Sequence, residues 1–96
     1  MSVTENTILD LNRFDSEIDT SGLRCPLPLL RAKQALKPMK AGEVLRVLAT
    51  DPAAKPDFDA MLKHLPHSMV GYERNNSDSG TYPWVDVILI QKGEPA

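Results

Sequence analysis

Gly22-Leu23-Arg24-Cys25-Pro26-Leu27-Pro28-Leu29-Leu30 decides how the 96-residue chain is read, because it joins a polar turn to an apolar run and sets the only cysteine at the junction. In this reading Cys25 takes the N-cap position of a helix and Pro26 falls at N1, where a fixed φ suits a helix start and a missing N–H costs nothing. Cysteine caps helices poorly beside Ser, Asp or Asn, so its presence points to a role other than helix stability. Pro26 and Pro28 have no amide proton, which leaves Leu27 and Leu29 as the first-turn donors. The Leu27 N–H, the positive end of the helix dipole and the Arg24 guanidinium together predict a thiol pKa below the free value of ~8.5. Lys33 and Lys37 push the same way if they face the cysteine. The alternative is a small buried hydrophobe, as many lone cysteines are.

The helix is predicted over 26–37, stopped by Pro38 and Gly42. At helical spacing Leu29, Ala32, Ala35, Leu36 and Met39 share the core arc, while Leu27, Leu30, Lys33, Gln34 and Lys37 fall on the other side. Two leucines on the solvent side are either ordinary scattered exposure or a docking patch rimmed by lysine.

Strands are predicted over 14–19, 43–50, 68–74 and 84–91, with a Thr20-Ser21-Gly22 turn after the first and a polar loop, 75–80, before the last. Asp51-Pro52 opens a second helix, placed over 55–65, whose buried stripe is Ala54, Phe58, Met61, Leu62 and Leu65. Asp51 reads both as a capping carboxylate and as a neighbour of the thiol. Residues 1–13 read as a flexible extension and 14–92 as a single domain. The order βαβαββ predicts an α/β (α+β) two-layer sandwich, a four-stranded mixed sheet with both helices on one face. Strands one and two are then parallel, and Cys25 and Asp51 meet beyond the carboxyl edge of the sheet, where open α/β sheets place their sites.

Leu23-Arg24-Cys25-Pro26-Leu27-Pro28 followed by a helix, and then a strand ending in Ala49-Thr50-Asp51-Pro52-Ala53, resembles the TusA/SirA-type sulfur carrier family over roughly residues 15 to 92. The resemblance implies that Cys25 accepts a sulfane sulfur as a persulfide. The donor would be a cysteine desulfurase or a rhodanese-like protein, and the sulfur would pass to an acceptor protein. Pathways served in the family are tRNA thiolation, molybdenum cofactor assembly and sulfur oxidation. Leu27 stands where the best-known tRNA-thiolation members carry glutamate. On this reading Arg24 and the Leu27 amide stabilise the sulfur anion, Pro26 and Pro28 fix the turn, Leu27, Leu30 and Lys33 meet the partner, and Asp51 orders the neighbouring loop. No cofactor and no metal are expected.

The family fold also implies that strand four lies between strands two and three. Arg46 and Asp86, each the internal charge of its strand, are then expected to share the open sheet face and to pair. Leu45, Val47 and Ala49 with Val85, Val87 and Leu89 would face the helices.

A formal charge of −2 argues against direct nucleic-acid binding, which needs a basic surface. One cysteine excludes an internal disulfide and supplies no metal cluster, and His64 and His67 read as surface residues. The chain shows no signal-peptide pattern and no apolar run of about 18 residues, so a cytoplasmic protein without membrane contact is expected, as a monomer or a weak dimer. The rival reading is a non-catalytic regulatory or interaction module with a structural cysteine. Its docking patch would be Trp84, Ile88 and Ile90 with Val44 and Leu48 on the open sheet face.

Overall fold

The computed structural model describes residues 13–76 and 80–94, so the expected extension, Arg13 apart, lies outside the described residues. Six elements follow in the order β1 (Ser16–Thr20), α1 (Leu27–Leu36), β2 (Val44–Ala49), α2 (Ala54–Leu62), β3 (Ser68–Asn76) and β4 (Trp84–Gln91). The sheet order is β1-β2-β4-β3, with β1 parallel to β2 and β4 antiparallel to both neighbours. This is the expected two-layer α+β sandwich, with strand four inside the sheet.

Most element ends shift by one to three residues from the sequence reading, as helix and strand ends commonly do. The largest shift is at the end of α2. Past Leu62 the chain tightens into short-range bonds, Lys63 N–H to Ala60 O and His64 N–H to Met61 O, ahead of Pro66.

Both helices cover one sheet face. Ala32, Leu36 and Met39 from the α1 segment and Ala54 and Phe58 from α2 close over Leu45, Val47 and Ala49 of β2 and Ile88 and Ile90 of β4. Phe58, Leu36, Leu45, Ile88 and Ile90 are the largest fully buried apolar side chains. Burying each contributes about 1.5–3 kcal/mol.

β4 corrects the sequence reading. Its register sets Leu45 opposite Ile90, Val47 opposite Ile88 and Ala49 opposite Asp86, and directly opposed residues share a face. Asp86, Ile88 and Ile90 therefore face the helices, while Val87 and Leu89 lie on the other face with Arg46. Arg46 and Asp86 are on opposite faces and do not pair. Arg46 instead meets Glu17 on β1 at 2.9 Å and lies 5.0 Å from the Phe14 ring centroid. Nor does the proposed open-face patch exist, because Ile88 and Ile90 are in the core. The cause is burial on both sides: Val87, Ile88, Leu89 and Ile90 are all buried, so an interior strand shows no alternation to phase it. An internal charge was a misleading guide to the open face, since Asp86 finds its partners inside.

Those partners come from β3. Arg74 donates to Asp86 through Nε to Oδ1 at 2.8 Å and through Nη2 to Oδ2 at 3.1 Å, and the Tyr72 hydroxyl donates to Oδ1 at 3.0 Å. A buried carboxylate survives only when paired and hydrogen-bonded in this way. Arg74 in turn stacks on Trp84, 3.8 Å from its ring centroid.

Candidate functional site

The site assembles where β1 and β2 both end. After Thr20 the chain turns, with Leu23 N–H bonded to Thr20 O and Ser21 N–H to the Asp19 carboxylate. Gly22 passes through φ 84°, a left-handed conformation that disfavours any side chain. Its N–H donates to Thr50 Oγ1 at 2.8 Å, which ties the turn to the exit of β2.

Cys25 follows three residues after Gly22 and is exposed, so it is not packed as a small hydrophobe. The Cys25–Pro26 peptide bond is cis. The helix begins one residue later than expected: Pro26 holds the N-cap position and α1 starts at Leu27, leaving Cys25 just outside. Leu27 N–H is not a donor for sulfur, because it bonds to Arg24 O at 2.8 Å. Pro28 is buried in the first turn.

Asp51 binds both sides of the site through main-chain amides. Its Oδ2 accepts from Cys25 N–H at 2.6 Å and its Oδ1 from Ala53 N–H at 3.0 Å, while its carbonyl takes Ala54 N–H at 2.9 Å at the head of α2. These two amides, with the Arg24 charge, hold the Asp51 carboxyl below the usual range. Asp51 is not the N-cap by position, which Ala53 occupies, yet its carboxylate bonds at that helix start.

Sequence reasoning predicted a depressed thiol pKa, and the geometry gives the opposite. Hydrogen bonding to the Asp57 carboxylate, then partial desolvation, then the charges of Asp57 and Asp51 push the Cys25 thiol up. The Leu27 N–H expected to favour the thiolate is bonded to Arg24 O, and Asp57 stands at the positive end of α2. Asp57 was missed although its signal was available: it lies in the first turn of α2, at the sheet edge already expected to hold Cys25.

A cavity of about 340 Å³ opens at the turn before Cys25, lined by Gly22, Leu23, Arg24, Thr50, Asp51, Pro52 and Tyr82. Tyr82 also escaped the sequence reading, because it lies in the segment before β4, where no periodicity marks it. Its hydroxyl stands so close to Gly22 that an added Cβ there would meet it at 2.5 Å. Leu27 and Leu30, 42% and 47% exposed, and the exposed Lys33 lie along the outer side of α1, leading away from Cys25. The structure thus brings Cys25, Arg24, Asp51 and Leu27 to one end of α1, with Leu30 and Lys33 further along it.

The sequence model of the family described as Sulfurtransferase TusA matches residues 16–85. The chain is 53% identical over 57 residues to a sulfur carrier protein TusA of Allochromatium vinosum, covering 59% of this chain and 75% of that one. It is 34% identical over 68 residues to the sulfur carrier protein TusA of Pseudomonas entomophila, covering 71% of this chain and 81% of that one. In three dimensions it is similar to a SirA-like protein from Desulfitobacterium hafniense, with a TM-score of 0.62 at 30% identity over 83% of this chain and 100% of the other. The fold, the cysteine at the sheet edge and the match from β1 into β4 agree, and the chain belongs to the TusA family of sulfur carriers.

Proposed function

We propose that the protein relays sulfane sulfur as a persulfide on Cys25 between a donor protein, of the cysteine desulfurase or rhodanese-like kind, and an acceptor protein. The observation that carries this reading is an exposed thiol, the only one in the chain, held at the tip of a rigid turn by the Cys25 N–H to Asp51 bond. The Cys25 thiolate attacks the outer sulfur of the donor's persulfide; the donor's S–S bond breaks, its thiolate leaves, and Cys25 carries the new S–S bond. Because the chain has no second cysteine to resolve that bond, the outer sulfur passes to an acceptor thiolate and Cys25 leaves as thiolate.

Hydrogen bonding to Asp57 favours the protonated thiol, and the thiolate is the form that takes up sulfur. Arg24 balances the carboxylates around the sulfur, Asp51 fixes the turn, and Pro26 and Pro28 rigidify it. Leu27, Leu30 and Lys33 form the surface the partners touch. A reducing compartment such as the cytoplasm suits an exposed thiol.

Intact mass after incubation with a cysteine desulfurase and cysteine tests the reading. The expected result is a gain of one sulfur that dithiothreitol reverses, absent in Cys25→Ser, whose circular dichroism matches the wild type. Loading that persists in Cys25→Ser ends the proposal.

A further inference from the structure

The far end of α1 carries a second feature, which shares only Lys33 with the partner surface proposed above. From Arg24 to Gly42 the chain holds Arg24, Arg31, Lys33, Lys37 and Lys40 and not one Asp or Glu, although the whole protein is net negative at −2. Neither Lys33 nor Lys37 is in an ion pair among the described residues. Beside them a cavity of about 160 Å³ is lined by Leu36, Leu65, Lys33, Lys37, His67 and Lys92. Leu36 is almost fully buried and Leu65 half-buried, so two leucines form apolar walls under a rim of ammonium groups.

The polar groups here are fixed and point one way chemically. Lys92 Nζ donates to the carbonyl oxygens of Leu36 and Lys37, which anchors a positive charge at the carbonyl end of α1. His67 Nδ1 accepts from Gly93 N–H at 2.9 Å, so the neutral ring carries its proton on Nε2. Burial, and then the Lys92 charge, lower the His67 pKa, which favours the neutral ring. Every polar side chain lining the cavity is therefore a donor, around an apolar interior.

We infer that this cavity is a docking site for an acidic, apolar segment of a partner protein, a leucine or phenylalanine flanked by carboxylates. The inference rests on the carrier reading for the identity of the partner, since α1 links the cavity to Cys25 over about 15 Å at ~1.5 Å per residue. A partner whose sulfur reaches Cys25 then seats a second point of contact at the opposite end of the same helix. Charge complementarity selects the partner and speeds its encounter, and the apolar walls hold it.

The probe is a fluorescein-labelled hexapeptide with a central leucine–phenylalanine pair and two glutamates on each side, titrated into the ¹⁵N-labelled full chain. The expected result is saturable amide shifts at Leu36, Lys37, Leu65, His67, Lys92 and Gly93, and binding weakened about five- to tenfold in Lys37→Glu. The same peptide with lysines in place of glutamates is expected to leave those amides unmoved. Shifts elsewhere only, an unchanged affinity in Lys37→Glu, or the same shifts from inorganic phosphate alone would each overturn the inference. Loading of wild-type Cys25 by inorganic polysulfide, read by intact mass, is measured separately. Loading without peptide binding removes the docking site alone, whereas peptide binding without loading removes the carrier reading and leaves the site.

Discussion

Two aspartates near the end of β2, Asp51 in the loop that follows it and Asp86 on the neighbouring interior strand β4, are held in opposite ways. Asp51 lies partly exposed in a loop and accepts from main-chain amides, Cys25 N–H on one side and Ala53 N–H on the other. Asp86 is fully buried in the middle of the sheet and accepts from side chains, Arg74 and Tyr72. The first sets the position of one backbone turn and is bathed in solvent that screens its charge. The second is a buried charge neutralised by Arg74, a pairing that fixes β3 against β4 and holds Arg74 where it stacks on Trp84. The difference teaches that a carboxylate's neighbours, and not its place in a motif, decide whether it serves stability or the thiol.

The contrast breaks most visibly at Asp86. Asp86→Ala leaves the Tyr72 hydroxyl and the Arg74 guanidinium without their shared acceptor, and losing a hydrogen bond to a charged group costs about 1.5–3 kcal/mol. The Arg74 side chain is 40% exposed and reaches water when released, whereas Tyr72 is half-buried, so about 2 kcal/mol is expected in urea unfolding. A loss under about 1 kcal/mol would mean that the buried pair does not stabilise the sheet.

Asp51→Ala is expected to cost less, about 1 kcal/mol, the usual effect of losing a capping carboxylate. Acid separates this effect from general damage. The Asp51 carboxyl is held low in the folded protein, so its contribution is full above the unfolded value of ~3.9 and is lost as pH falls through the lower folded value. The stability gap between wild type and Asp51→Ala should therefore close between about pH 4 and the acid limit. A gap that stays constant into acid would show that the carboxylate's charge is not what the two amides need.

These two residues also mark how far the sequence could be read. Asp51 was legible because its signal is local: an Asp-Pro after a strand opens a helix, and parallel β1 and β2 carry that position to the end of α1. The order of the elements and the place of Cys25 were legible for the same reason. Asp86 was misread because β4 is apolar on both faces, and only β3, distant in sequence, supplies the partners that allow its burial. The thiol pKa failed similarly. The count of free amides at the helix start was sound, but the turn consumes Leu27 N–H, and a carboxylate from another helix sets the sign. Contacts made across the chain were the illegible part, in the core and at the site alike.

The smallest effect on stability, and the sharpest on the thiol, belongs to Asp57. As first-turn acid of α2 it contributes about 0.3–1 kcal/mol through the helix dipole, and Asp57→Asn should lose no more than that. Its hydrogen bonding to the thiol is the largest cause of the raised Cys25 pKa, whereas the Asp51 charge is the last of the four. Removing the Asp57 charge lessens the penalty on the thiolate, so iodoacetamide alkylation in Asp57→Asn should titrate at lower pH than in the wild type and run faster at pH 7. Asp51→Ala should move the same titration much less, although it costs more in stability. Stability and thiol reactivity would then respond to different aspartates. The opposite ranking, with Asp51→Ala moving the alkylation profile further than Asp57→Asn, would assign control of the thiol to the loop that positions it and leave Asp57 as a helix-end charge only.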